Sequence, residues 1–237
     1  MKIINAKSCQ EISDIATSII LKQIKKKKNS VLCLPTGKTP LLMYKKLVQL
    51  FHDGKISFEK VLCFNLDEYY GLNKENKNSY HYYMRKNFFN FVDAEDENIF
   101  ILDGMAKNFK KECDDFEKKI KKTNGIDLMI LGIGENGHIG FNEPEGSFLS
   151  RTRLVNLDIS TRRANSKPFK SLRNTPKRAL TIGLKTIMEA KQIILLASGN
   201  KKKNIVKKAF KDKINKKIPA SILQTHKNVT AIIDFKI

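Results

Sequence analysis

The sequence has no tryptophan, six prolines and four cysteines too scattered to form a motif. Cys9, Cys33, Cys63 and Cys113 include no C-x-x-C pair, so neither a zinc site nor a disulfide framework is expected. Cys33 and Cys63 fall in strand-like runs and read as small buried hydrophobes. No apolar run approaches the length that spans a bilayer. The N-terminal "MKIINAKSCQEISDIA" lacks the unbroken apolar segment and small-residue cleavage site of a signal peptide. A cytoplasmic protein without a membrane partner is the expectation. Acidic residues are also few: 24 Asp and Glu stand against 45 Lys and Arg, a formal charge of +21. Within that basic excess arginine is scarce, confined to Arg85, Arg151, Arg153, Arg162, Arg163, Arg173 and Arg178. Bidentate readout of phosphate or guanine favours arginine, and no aromatic-basic platform accompanies the lysines. A nucleic-acid partner is therefore not expected. The charge reads as a lysine-rich solvated surface, whose field still attracts a phosphorylated metabolite.

What the sequence does contain is alternation. Apolar runs at 30–35, 61–67, 98–104, 126–134, 179–183, 192–199 and 229–235 are separated by segments with helical period. Ser8 with Glu11 resembles a capping box ahead of Ile12, Ala16, Ile19 and Ile20. Thr39 reads as N-cap and Pro40 as first residue of a helix reaching about Leu50, and Ser79 opens an aromatic-rich helix. Strands alternating with helices predict an α/β fold: an open, doubly wound, mostly parallel sheet with helices on both faces. No repeat, linker or boundary interrupts it, so residues 1–237 are expected to form one domain. The stretch 134–178, rich in glycine and polar residues, is expected to be an irregular cap or excursion.

In such sheets ligands bind at the carboxyl ends of strands, and there the sequence becomes unusual. "LPTGKTP" brings Thr36, Gly37, Lys38 and Thr39 to a helix start, where free N–H groups suit a phosphate; taken alone, such a turn is more often structural. "FNLDEYYGL" sets Asp67 among apolar and aromatic residues, either as a proton shuttle with a raised pKa or as a cap of the next turn. "LGIGENGHIGFNEP" brackets His138 with Gly137 and Gly140 and brings Asn136 and Glu143 within reach of its ring. That pattern favours a general acid/base whose tautomer its neighbours fix. His52, His81 and His226 lack such settings and read as surface residues. At "LLASG" a lysine, Lys201, is expected to pair with phosphate, with Lys202 and Lys203 facing water.

"LPTGKTP", "FNLDEYYGL", "GIGENGHIGFNEP", "SRTR" and "TRRANS" stand in an order and spacing that resemble glucosamine-6-phosphate deaminases across essentially the whole chain. The resemblance implies a Rossmann-like sandwich and deamination of glucosamine 6-phosphate to fructose 6-phosphate and ammonia, in amino-sugar catabolism, with no metal or organic cofactor. It implies that His138 opens the sugar ring, that Asn136 and Glu143 position that histidine, and that Asp67 moves a proton from C2 to C1. It also implies phosphate contacts from Thr36–Thr39, Lys167 and Lys201. Three departures stand out. Asn136 is neutral where many members carry Asp, "ANSKPF" replaces an "ANSRF"-like segment, and Lys38 replaces Gly or Ser. Longer members extend beyond the equivalent of Ile237 and carry an effector site matched by Arg153; an unregulated monomer is the expectation here. The related 6-phosphogluconolactonases share the fold and are the alternative reading.

Overall fold

Side chains of the apolar runs sort by parity. Val31, Cys33, Met129, Leu131, Ile193 and Leu195 join one hydrophobic cluster, while Leu32, Leu34, Leu128, Ile130, Ile194 and Leu196 join another. A strand points successive residues to opposite faces, so a run apolar at every position needs cover on both sides. The computed structural model, which describes residues 2–237, supplies it.

In chain order the elements are β1 (Lys2–Asn5), α1 (Cys9–Lys26), β2 (Val31–Leu34), α2 (Leu41–His52), β3 (Leu62–Asn65), β4 (Asp67–Tyr69), α3 (Tyr80–Asn87), β5 (Ile99–Phe100) and α4 (Phe109–Lys122). There follow β6 (Leu128–Gly132), β7 (Arg153–Asn156), α5 (Ile159–Ala164), β8 (Arg178–Thr181), α6 (Leu184–Met188), β9 (Ile193–Ala197), α7 (Lys203–Lys211) and β10 (Val229–Ile233). A seven-stranded sheet has the order β1-β10-β9-β6-β2-β3-β5, and every pairing in it is parallel. Ile12, Ala16 and Ile20 of α1, Met43 and Leu47 of α2 and Met84 of α3 cover one face. Phe116 of α4, Leu184 of α6 and Val206 of α7 cover the other. The expected doubly wound α/β sandwich is the observed fold. Among the described residues no helix is long and apolar enough to cross a membrane, and all four cysteines are free.

Local expectations fared unevenly. Ser8 Oγ accepts from the Glu11 N–H at 3.2 Å, but Glu11 reaches back to the Lys7 N–H, one residue beyond the box pattern. Thr39 does not cap α2. Pro40 occupies the cap position in a right-handed helical conformation and makes no side-chain cap bond, so the helix starts at Leu41. The run 61–67 is not one strand. β3 ends at Asn65, and Asp67 starts β4 in a separate antiparallel sheet of order β4-β8-β7. The segment 179–183, expected in the main sheet, lies in this small one as far as Thr181. Leu66 is the junction: its N–H donates to Leu34 O at 3.4 Å and its carbonyl accepts from Ile182 at 2.9 Å. β1 was not anticipated, because a four-residue edge strand carries too little pattern. The stretch 134–178 holds β7 and α5 and closes over the sheet.

The order of the large sheet reverses between β2 and β6. From β2 the chain winds through β3 to β5, and from β6 it winds the other way through β9 to β10. A reversal opens a crevice outside the carboxyl ends of the two strands.

Candidate active site

A cavity of about 250 Å³ lies in that crevice. The loop Thr36–Thr39 after β2, Leu66 and Asp67 after β3, Gly132 at the end of β6, and Gly134, Glu135 and His138 after it line it. Thr161 and Asn165 close it from α5 and its C-cap, and Lys202 enters from the turn after β9. Separate strand tips therefore bring the Asp67 carboxyl and the His138 imidazole to one cavity.

The histidine is oriented by a chain of hydrogen bonds. Asn136 Nδ2 donates to Glu143 Oε2 at 2.8 Å, and Asn136 Oδ1 lies 2.7 Å from His138 Nδ1. A carboxylate only accepts, so the amide nitrogen must face Glu143 and the amide oxygen must face the ring. His138 Nδ1 then carries the proton, leaving Nε2 as a free acceptor. Thr161 Oγ1 at 3.2 Å and Glu143 Oε2 at 3.5 Å also face Nδ1. Burial works to raise the Glu143 carboxyl, but its bonds with His138, Thr161 and Asn136 outweigh burial and hold it below its ordinary value. A permanent negative charge thus backs a neutral amide against the ring. Asn136 and Glu143 stand where the sequence put them.

The glycine that makes room for the ring is a different one from those expected. A Cβ at Gly134 would fall 2.2 Å from His138 Cε1 and 2.3 Å from Nδ1. At Gly137 it would strike Ile218, and at Gly140 it would press on Thr181 Oγ1. Gly140 matters for another reason. Its φ is 56°, and a side chain there would come within 3.6 Å of Asp67 Oδ2, so the loop carrying His138 passes close beside the acid.

Asp67 is 6% exposed. Burial, with the adjacent Glu68 charge adding to it, pushes its carboxyl up to about 8. Tyr80 lines the same cavity, stacks on Phe141 and is itself linked to Tyr69 by hydroxyl contact at 3.3 Å. The apolar and aromatic setting read from the sequence is present, and the capping alternative for Asp67 is not, since its backbone pairs with Thr181 at the start of β4.

The cationic side needs two corrections. Lys202, not Lys201, lines the cavity; Lys201 points to solvent. Asn200–Lys202 form a 3₁₀ turn entered through Gly199 at φ 89°, and that turn swings the second lysine inward. Lys167 lies in an adjoining compartment, with Lys38, Tyr83 and Phe169, rather than in the cavity that holds Asp67 and His138. Pro168 places Lys167 at the start of a short 3₁₀ turn, directed to that neighbouring space. Gly37 has φ 108° and its carbonyl accepts from Tyr83 Oη at 2.6 Å, which anchors the Thr36–Thr39 loop to α3. His81 and His226, read as surface residues, are half-buried, and His226 Nε2 sits 2.7 Å from Ala190 O. Thr161, Glu135 and Tyr80 were not anticipated; only their contact with the cavity reveals them. Among the described residues no group of three or more His, Cys, Asp and Glu is arranged to hold a metal ion.

Known proteins with this sequence pattern are numerous. The family model described as glucosamine-6-phosphate isomerases/6-phosphogluconolactonase matches residues 5–232. The glucosamine-6-phosphate deaminase of Clostridium acetobutylicum is 50% identical over 234 residues, which is 99% of this chain and 97% of that protein. That of Clostridium botulinum strain Langeland is 51% identical over 234 residues, covering 99% and 96%. The solved structure of a monomeric glucosamine-6-phosphate deaminase superposes with a TM-score of 0.96 at 42% identity, covering 98% of this chain and 97% of that one. A 6-phosphogluconolactonase from Thermotoga maritima covers 98% of this chain and 97% of its own with a TM-score of 0.76, but at 17% identity it shares the fold alone. With a match over nearly its whole length, the chain belongs to the glucosamine-6-phosphate isomerase/6-phosphogluconolactonase family.

Proposed function

We propose that this chain is a glucosamine-6-phosphate deaminase, converting glucosamine 6-phosphate and water to fructose 6-phosphate and ammonia. The observation that carries the reading is one cavity holding a buried carboxyl with a raised pKa and an imidazole whose Nε2 is free. Ring opening needs a proton moved from the anomeric hydroxyl to the ring oxygen, and His138 Nε2 is the group for it. Asn136 holds the tautomer, and Glu143 supports the imidazolium that forms in passing.

Asp67 then removes the C2 proton of the open-chain amino sugar and returns it to C1. The intermediate between these transfers is an enolamine, and the product is a ketose imine. Water adds at C2, ammonia leaves, and fructose 6-phosphate remains. A carboxyl that is neutral in the empty site at pH 7 ionises once the substrate's ammonium is near, because a close cation lowers its pKa and favours the carboxylate. Ring opening and the C2-to-C1 shift are proton transfers between positioned groups. The substrate phosphate sits on the N–H groups of Thr36–Thr39 with Lys202 as its counter-charge. The protein works as a single domain, as a cytoplasmic enzyme and as a monomer; the monomeric relative supports the last of these.

One assay with purified protein tests the reading against lactone hydrolysis. Ammonia and fructose 6-phosphate should appear together from glucosamine 6-phosphate, with no acceleration of 6-phosphogluconolactone hydrolysis. Lactone turnover without ammonia release would overturn it.

A further inference from the structure

Glu68 follows the base directly in sequence yet lines a different cavity, with Asp103 and His81 on the far side of β4. It is 1% exposed. Its partners are three backbone N–H groups: Oε1 accepts from Tyr69 at 2.8 Å and Tyr80 at 2.9 Å, and Oε2 accepts from His81 at 2.8 Å. Tyr80 and His81 open α3, so one carboxylate satisfies two of the free donors of that first turn. The helix then reaches the other wall of the catalytic cavity. Tyr80 lines it, and one turn on, Tyr83 Oη donates to Gly37 O at 2.6 Å.

We propose that Glu68 is a positioning residue, whose carboxylate ties α3 to the strand bearing Asp67 and so holds the base and the Thr36–Thr39 loop in one frame. This rests on the assignment of Asp67 as base and of the loop as phosphate site. The backbone already brings the two near, since the Leu66 N–H donates to Leu34 O at 3.4 Å; the Glu68 path is a second link, and it reaches the loop itself at Gly37. β4 lies in the small sheet and the loop follows β2 of the large one, and the path Asp67–Glu68–α3–Tyr83–Gly37 spans them through bonds given above.

The charge has a second consequence. The groups facing Glu68 are Asp67 on its own strand, His81 on α3, Asp103 ahead of α4, and Lys74 and Glu75 in the loop before α3. Burial, with Arg85 and Lys74, holds His81 below its ordinary value, so it is neutral at pH 7 and supplies no counter-charge. Burial raises the Glu68 carboxyl to about 7 against the pull of its N–H donors. Once ionised, it therefore disfavours the carboxylate of Asp67 on the opposite face of the strand.

Three variants separate charge from reach. Glu68→Gln removes the charge at nearly constant shape, Glu68→Asp keeps the charge but falls short of α3, and Tyr83→Phe cuts the far end of the tether. The readouts are the titration of the Asp67 carboxyl by carbon NMR and the affinity for inorganic phosphate by calorimetry; neither depends on turnover. In Glu68→Gln the Asp67 midpoint should fall by about one pH unit, as loss of a near charge requires. In Glu68→Asp and Tyr83→Phe phosphate binding should weaken about fivefold, the worth of one hydrogen bond. Phosphate affinity unchanged in both of these variants overturns the proposal, whatever happens to turnover. Should the Glu68 variants fail to fold, Tyr83→Phe decides alone. If these shifts appear but the unaltered protein releases no ammonia, the proposed activity fails and the role of Glu68 stands.

Discussion

Asn136 Oδ1 lies 2.7 Å from His138 Nδ1, and the amide cannot be turned over, because its nitrogen is held by Glu143 at 2.8 Å. One side chain of fixed orientation thereby decides which nitrogen of the imidazole is free. Replacing Asn136 with Ala should leave Nδ1 to Thr161 and Glu143, loosen the tautomer and lower kcat about 10- to 100-fold. The ring nitrogens report this directly: nitrogen NMR of the unaltered protein should show the Nδ1–H form, and Asn136→Ala should mix it with the Nε2–H form. An unchanged tautomer in Asn136→Ala would show that the amide does not govern the ring.

As the proposed base, Asp67 trades stability for activity. Its carboxyl is raised from 3.8 to about 8 by burial and by Glu68. Below the unfolded value the acid is protonated in both states and costs nothing. Between that value and the folded one the unfolded chain holds fewer protons, so stability falls as pH rises, and it levels off above about 8. The full penalty is of order 5 kcal/mol. Asp67→Asn, an isostere of the neutral acid, should abolish ammonia release. In urea unfolding it should also be more stable than the unaltered protein, by a margin that grows from mildly acid to mildly alkaline pH. A constant margin would contradict the raised carboxyl.

The same shift sets the acid limb of activity. A base works ionised, so in the free enzyme kcat/KM should climb with pH and flatten above about 8. An acid limb near the ordinary carboxylate value of about 4 would mean that Asp67 is not the group being read.

Much of this architecture was legible in the chain because a parallel sheet writes itself as unbroken apolar runs. The strand tips were legible too. Glycines, an acid and a histidine there contradict the packing logic of the strands that precede them, and the contradiction marks a site. What stayed hidden was direction. Run 61–67 changes sheets at Leu66, where one residue bonds to both sheets, and nothing in its hydropathy announces that. Lys201 and Lys202 are equivalent in composition, and only the 3₁₀ turn after Gly199 tells them apart. Gly134 gives way to a ring four residues later, a contact that depends on how the loop folds back, with Gly134 N donating to His138 O at 2.9 Å.

The two lysines allow a paired test. Lys202→Ala should raise KM for the sugar phosphate about 10- to 100-fold, the cost of one charge-assisted contact, with a smaller effect on kcat. Lys201→Ala, on the exposed side of the same turn, should stay within about twofold. Equal effects of the two substitutions would mean that the long-range field, not a contact, holds the phosphate.

Gly134→Ala isolates geometry from chemistry. No catalytic group is removed, yet the new methyl would occupy the space of the His138 ring, with carbon and nitrogen atoms 2.2–2.5 Å away. The ring can swing aside, being the end of a side chain, so the fold should survive with a melting temperature near that of the unaltered protein. The displaced imidazole loses its bond to Asn136 and its place over the anomeric centre. A misplacement of about 1 Å at a reacting group costs on the order of 100-fold in rate, and kcat should fall by at least that much. If ring opening alone depends on His138, supplying the amino sugar in its open-chain form would restore turnover in Gly134→Ala but not in Asp67→Asn. Rescue of both, or of neither, would contradict the division of labour between the imidazole and the carboxyl.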